Sequence, residues 1–249
     1  MQRIAKVSSY LVLVLSLILM PQLYAGSVTE KKSSFFKLMY PLIETENLLI
    51  LKVRNKIINL KKKLNSRQKL TASEKTELTT LAEKYRVKKY RDDMNVLINK
   101  LLIKIDIIPP SLAIAQAANE SAWGTSRFAR LAKNYYGQWC FSKGCGIVPK
   151  RRSANSNHEV RSFSSVKKSV RSYMKNINST RPYKELRKIR HNLKLKNIAP
   201  DGYKLAKGLM RYSSRGKEYV KEIRAMIKYN KLTSYDQRFW DLAKEKKLN

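Results

Sequence analysis

Glu120 is the one acidic side chain between Asp106 and Glu159. It closes a run of apolar and small residues, 112–118, that leaves almost no polar face. Such a run reads as a buried helix. Pro109 and Pro110 suit its first turn. Gly124 is a natural helix end, and Thr125 or Ser126 can cap the next helix. Glu120 then falls in the last turn, against the negative end of the helix dipole. Burial and that dipole both disfavour a charged carboxylate. A carboxyl kept protonated near neutral pH is what a general acid needs. Arg127, Arg130 and Lys133 follow closely, and Lys150, Arg151 and Arg152 are further cations that could approach. Cations favour the ionised form. The residue types leave two roles open, a general acid or a carboxylate paired with Arg127.

Residues 134–139, Asn-Tyr-Tyr-Gly-Gln-Trp, form a turn followed by an aromatic stretch. Pyranose rings need flat apolar faces with polar groups between them, and this stretch offers both. Tyr135, Tyr136 and Trp139 serve equally as core, so at least one facing a cleft is expected. Cys140 and Cys145 are the only cysteines. In an exported chain such a spacing fits a disulfide closing a tight loop over Ser142, Lys143 and Gly144. No metal is expected, because His158 and His191 are the only histidines and lack zinc-like spacing. A nucleophilic cysteine would need a nearby base, for which His158 is the candidate. Residues 159–163 alternate like a strand.

The ordered residues Gln116-Ala117-Ala118-Asn119-Glu120-Ser121-Ala122-Trp123-Gly124, Ser126-Arg127-Phe128-Ala129, Asn134, Gly137-Gln138-Trp139-Cys140, Lys143-Gly144-Cys145-Gly146 and Val148-Pro149-Lys150-Arg151 resemble the core of the bacterial glucosaminidase family, glycoside hydrolase family 73. The resemblance implies a lysozyme-like fold in which Glu120 protonates a glycosidic oxygen. It implies substrate contacts from Gln116, Trp123, Asn134, Tyr136, Gln138 and Trp139. Tyr183 resembles a family tyrosine that reaches the cleft and helps position the acetamido group or water. Some members carry a second acid on a mobile β-hairpin here. Glu159 is the local candidate for that general base, or else a surface strand residue paired to a cation.

The elements that must hold this stretch are helical. Residues 34–64 repeat apolar side chains at helical spacing, with Pro41 a kink or break near the start. Thr71 and Glu74 have the form of a capping box for a helix to about Arg86. Asp92 or Asp93 caps another. Ser164 or Ser165 opens a helix through Ile177, a further helix runs from Lys184 to about His191, and Asp201 opens one through Met210. A last helix covers about 217–229. Tyr212, in the turn before it, is a cleft candidate, and Tyr219 within it reads as core. Residues 230–249 form a tail in which Phe239 and Trp240 could dock back.

The 53 Lys and Arg outnumber 18 Asp and Glu, for a formal charge of +35 over 249 residues. Such an excess points to an anionic partner, or to a bias spread along the whole chain. No nucleic-acid-binding signature is present. Residues 1–25 have a basic start, an apolar stretch and a small-residue end, the pattern of a signal peptide too short to span a bilayer comfortably. The expected class is α+β and mostly helical. A signal peptide (1–25), an N-terminal helical region (26–105) and a lysozyme-like catalytic domain with a small β-hairpin (106–229) precede the tail (230–249). The expected protein is a monomeric, periplasmic peptidoglycan hydrolase acting at N-acetylglucosamine, with no cofactor and no nucleic-acid partner. A lytic transglycosylase and a non-catalytic wall-binding protein are the alternatives.

Overall fold

The structure, a computed structural model, describes residues 4–87, 90, 92–150, 152 and 156–248, with the backbone alone for 4–27. The expected signal peptide therefore falls outside the described residues at 1–3 and on backbone alone after that. Residues 1–38 and 39–249 form separate compact units. The first is N-terminal helix, and the second carries the remaining elements.

The helices are α1 (Ile4–Asn65), α2 (Ala72–Lys84), α3 (Met94–Lys104), α4 (Pro110–Ser121), α5 (Arg127–Ala132), α6 (Val166–Ser179), α7 (Lys184–Leu195), α8 (Gly202–Leu205), α9 (Lys217–Tyr229) and α10 (Thr233–Glu245). Among the described residues three short strands, β1 (Trp139–Cys140), β2 (Gly146–Ile147) and β3 (Glu159–Arg161), lie between α5 and α6. The class is α+β and mostly helical. Among the described residues no helix is long and apolar enough to cross a membrane.

Local signals set most helix starts. Thr71 and Glu74 make both bonds of the capping box. Asp93, Ser126 and Ser165 accept from the third amide beyond them, the usual N-cap bond. Pro41 lies inside α1 rather than breaking it, and its carbonyl accepts from Thr45 Oγ1 at 2.7 Å.

Helix α4 is the axis of the unit. Every residue from Pro110 to Ala118 is buried, and α8, α9 and α10 pack against it. Its entry is held by charge. Asp106, 2% exposed, meets Lys194 Nζ at 2.8 Å, Arg54 at 3.4 Å and Arg190 at 3.9 Å. Those cations hold its carboxyl below the usual range against the cost of burial. Asn47 grips the next turn, donating to the Ile108 carbonyl at 2.8 Å and accepting its amide at 3.0 Å.

The expected tail is helix α10. Phe239 packs with Leu51 and Ile107. Asp236 accepts from the Ser111 amide at 2.7 Å, the Ser111 hydroxyl at 2.5 Å and the Gly202 amide at 3.1 Å. It thereby satisfies an orphan donor at the start of α4. Burial pushes this carboxyl up to about 6. A carboxyl raised in the folded state contributes most below its unfolded range, and that contribution is lost as pH rises through 6. Asp236→Ala is expected to cost about 1–3 kcal/mol. Urea melts should show a larger loss at pH 5 than at pH 8.

The sheet differs from a simple hairpin. Strand β3 lies between the other two, in the order β1–β3–β2, and both pairings are antiparallel. Cys140 and Cys145 are joined by a disulfide, so β1 and β2 leave a closed loop on either side of β3. A Cβ at Gly146 would stand 2.0 Å from the Val160 carbonyl oxygen, so only glycine lets β2 pair there.

Candidate active site

Helix α4 ends at Ser121, one residue after Glu120, and not at Gly124. Ala122, Trp123 and Gly124 then turn through three successive left-handed conformations, at φ 50°, 59° and 78°. Two of these are not glycine, which costs on the order of 1–2 kcal/mol each. The turn is pinned by Trp123 N–H to the Ala118 carbonyl at 2.9 Å and by Gly124 N–H to Ser121 Oγ at 2.8 Å. It fixes where the last turn of α4, and so Glu120, points.

Glu120 is half-buried at the wall of a cleft of about 640 Å³, a size that suits a small ligand. Its Oε1 accepts the Tyr219 hydroxyl at 2.9 Å. Tyr219 in turn accepts Gln116 Nε2 at 3.0 Å, and Gln116 Oε1 accepts the Tyr173 hydroxyl at 2.7 Å. Four side chains from α4, α6 and α9 thus form one directed chain ending on the carboxyl. Buried chains of this kind polarise and rigidify one another. Burial pushes the Glu120 carboxyl above its usual range, although Tyr219, Asn119 and Arg215 pull it down. Arg215 is itself ion-paired with Glu222.

Glu120 Oε2 faces Gly137. A Cβ at that position would stand 3.2 Å from Oε2, and Gly137 has φ +60°. Glycine therefore leaves room in front of the oxygen. Gly137→Ala is expected to lower kcat roughly tenfold, the worth of about 1.4 kcal/mol. Steady-state rates beside a thermal melt would check this, the melting temperature falling by a few degrees as well because alanine is strained at a left-handed φ.

Aromatic rings build the rest of the cleft. Tyr136 stacks on Tyr173 at 3.8 Å, and Tyr212 on Tyr219 at 5.1 Å. Tyr183 lies 5.9 Å from Tyr212, whose hydroxyl donates to the Tyr136 carbonyl at 3.0 Å. Trp139 is 57% exposed and stacked on His158 at 4.0 Å, so it presents a ring to solvent rather than to the core. Tyr135, by contrast, is buried.

Of the residues singled out in the sequence, Glu120, Tyr136, Gln138, Trp139, Tyr183 and Tyr212 line this cleft together. The others stand behind or beside it. Gln116 is fully buried in the hydrogen-bond chain. Asn134 is buried and laces the turn, donating to the Gln138 carbonyl at 2.8 Å and the Arg161 carbonyl at 2.9 Å. Trp123 sits in the turn after α4. Glu159 is buried, and accepts the Gly144 amide at 2.9 Å and the Gly146 amide at 2.7 Å. These amides hold its carboxyl below the usual range. Pleating puts it on the face of β3 opposite Val160, whose register partner is Trp139. The two sulfurs near Glu159 are bonded to each other and offer no metal site.

Three of the cations that follow Glu120 in sequence turn elsewhere. Lys133 donates to the Ser164 carbonyl at 3.0 Å, Arg152 to the His158 carbonyl at 3.2 Å, and Arg127 lies over Phe128. Arg151 falls outside the described residues. Arg215 takes their place, with Tyr173, Asn176 and Tyr219, none of which sequence spacing marks as belonging to the site.

Residues 95–232 match the glucosaminidase family, described as mannosyl-glycoprotein endo-beta-N-acetylglucosaminidase. The chain is 32% identical over 204 residues to the protein Bax of Escherichia coli strain K12, covering 82% of this chain and 71% of that protein. Among solved structures it is similar to the catalytic domain of the autolysin Auto from Listeria monocytogenes, at 21% identity and a TM-score of 0.39. That match covers 66% of this chain and 83% of the other.

Proposed function

The chain belongs to the glucosaminidase family, and from that premise we propose that it is an exported hydrolase cutting the β-1,4 bonds of peptidoglycan at N-acetylglucosamine. Family membership makes it a glycosidase-type enzyme; the polymer, the bond, export to the periplasm and the residue roles are this reading's own. It rests above all on one observation: a carboxyl raised by burial, aimed by a tyrosine, opening on an aromatic cleft. Protonated Glu120 gives its proton to the glycosidic oxygen as the C1–O bond breaks. The leaving sugar departs as an alcohol, and Glu120 is left as a carboxylate.

Positive charge developing at C1 then needs a nucleophile. Glu159 lies off the cleft, its oxygens taken by two amides, and no second carboxylate lines the cleft among its described residues. The substrate's own acetamido oxygen fills the role by closing on C1, a route that some glycosidases use. Water, deprotonated by Glu120, opens that ring. On this reading Tyr183 and Asn176, which line the same cleft, hold the acetamido group. Glu159→Gln should accordingly lower kcat far less than Glu120→Gln, while lowering the melting temperature by loosening the disulfide loop. Parallel kinetics and melts would check this, and equal kcat losses would return Glu159 to the reaction.

The absence of a second acid in the described cleft also fits a lytic transglycosylase, in which the sugar's own hydroxyl attacks C1. Digestion in ¹⁸O-labelled water separates the two. Hydrolysis puts one ¹⁸O on each new reducing-end N-acetylglucosamine, whereas transglycosylation leaves unlabelled anhydro ends.

A further inference from the structure

A cavity of about 750 Å³ lies between α3 and α7, away from Glu120. Its polar lining is one-sided. Arg86, Lys100, Lys104, Lys184, Arg187 and Lys188 all reach it, and no acidic residue lines it among the described residues. Lys100 and Lys104 are one turn apart on α3, as are Lys184 and Lys188 on α7, and like charges so spaced repel. Two packed helices facing each other with cations alone are poorly matched unless something anionic comes between them.

Arg187 makes the demand specific. It is 5% exposed. Among the described residues its one hydrogen bond runs from Nη1 to the Ile177 carbonyl at 2.7 Å. It lines the cavity, and its remaining N–H groups are not sealed from solvent. Arg190, one turn further along the same helix, shows what a buried guanidinium ordinarily receives. Asp106 lies 3.9 Å from it, and four backbone carbonyls and Asn178 accept its protons. Burying an arginine without an anion is costly. Lys104 adds to the charge. Its Nζ donates to the Tyr85, Arg86 and Ser179 carbonyls, and burial with Arg187 and Arg86 pushes it down to about 8.

The cavity connects to the cleft. Arg86 and Ser179 also line a neighbouring hollow of about 760 Å³ that reaches Gln138, Trp139 and Asn176 of the cleft. Lys168 and Lys175 line the way. Val87, Tyr90 and Ile103 supply apolar walls in the cavity itself. We propose that the α3–α7 cavity is an accessory subsite for the carboxylates of the short peptide branches of the polymer whose glycan lies in the cleft. This rests on the reading of that polymer as peptidoglycan. Arg187 supplies the anion-binding fork, Lys104 and Arg86 the flanking charge, and the apolar walls the seat for small aliphatic side chains.

Titration calorimetry on the full chain carrying Glu120→Gln tests this without cleavage, so a failure of hydrolysis and a failure of the subsite remain separate results. The probes are a soluble disaccharide-peptide wall fragment, the same fragment with its carboxylates amidated, a peptide-free N-acetylglucosamine oligosaccharide, and inorganic phosphate. Arg187→Gln, and the exposed pair Arg86→Gln with Lys188→Gln in case the first fails to fold, should weaken the peptide-bearing fragment tenfold or more. Both should leave the peptide-free oligosaccharide unchanged, and amidation should mimic the variants. Unchanged binding of the peptide-bearing fragment in the exposed pair overturns the proposal. Equal loss of both sugars overturns it too, as does phosphate binding with no discrimination between free and amidated peptide.

Discussion

Glu120→Gln is expected to lower kcat by roughly 10² to 10⁴-fold, the usual worth of a general acid, with the fold intact. The substitution keeps the shape and leaves an oxygen to accept the Tyr219 hydroxyl. It removes only the transferable proton. Stability should hold or rise at neutral pH, because burial disfavours the charged carboxylate that Gln replaces. Circular dichroism melts beside cleavage rates would check both halves. A variant that melts like the parent and cleaves as fast removes Glu120 from the mechanism. One that fails to fold assigns it to the core.

Tyr219→Phe should follow with a loss of tenfold or more in kcat, since small displacements of a catalytic group cost up to about 10²-fold. Phenylalanine keeps the stack on Tyr212 but ends the hydrogen-bond chain, freeing the Glu120 carboxyl and stranding Gln116 Nε2. The pH profile separates aim from bulk. On the proposed mechanism the active form of Glu120 is protonated, so activity should fall as pH rises through its pKa. The Tyr219 hydroxyl favours the ionised form and pulls that value down. Its removal should therefore move the alkaline limb of kcat/KM to higher pH. Arg215→Gln should move the limb the same way, because Arg215 also favours the ionised form. A rate loss with an unmoved limb would make Tyr219 a packing residue.

What the sequence carries, and what it does not, divides along contact range. The apolar run 112–118 is enough to bury α4 and put Glu120 in its last turn, because helical periodicity is local. The capping box at Thr71 and Glu74 and the caps at Asp93 and Ser165 are legible for the same reason. Tyr219 is not. Its spacing with Val220, Ile223 and Ile227 marks a buried helix face, and it is buried, but its hydroxyl projects beyond the core onto a carboxyl 99 residues away. Arg215 likewise displaces the cations that lie nearer to Glu120 in sequence. Glu159 has the residue type and place of a second acid, yet strand pleating turns it toward the disulfide loop, a consequence of pairing that no short stretch displays. Helix α10 hides in a polar segment because Asp236 and Phe239, not a continuous apolar stripe, dock it.

The central claim is that Glu120 drives cleavage beside N-acetylglucosamine, and the most direct measurement is mass spectrometry of purified peptidoglycan digested by the mature parent and by Glu120→Gln in parallel. The account predicts new reducing-end N-acetylglucosamine from the parent and none from the variant. Equal product from both, or no product from either while both still bind the polymer, would contradict it.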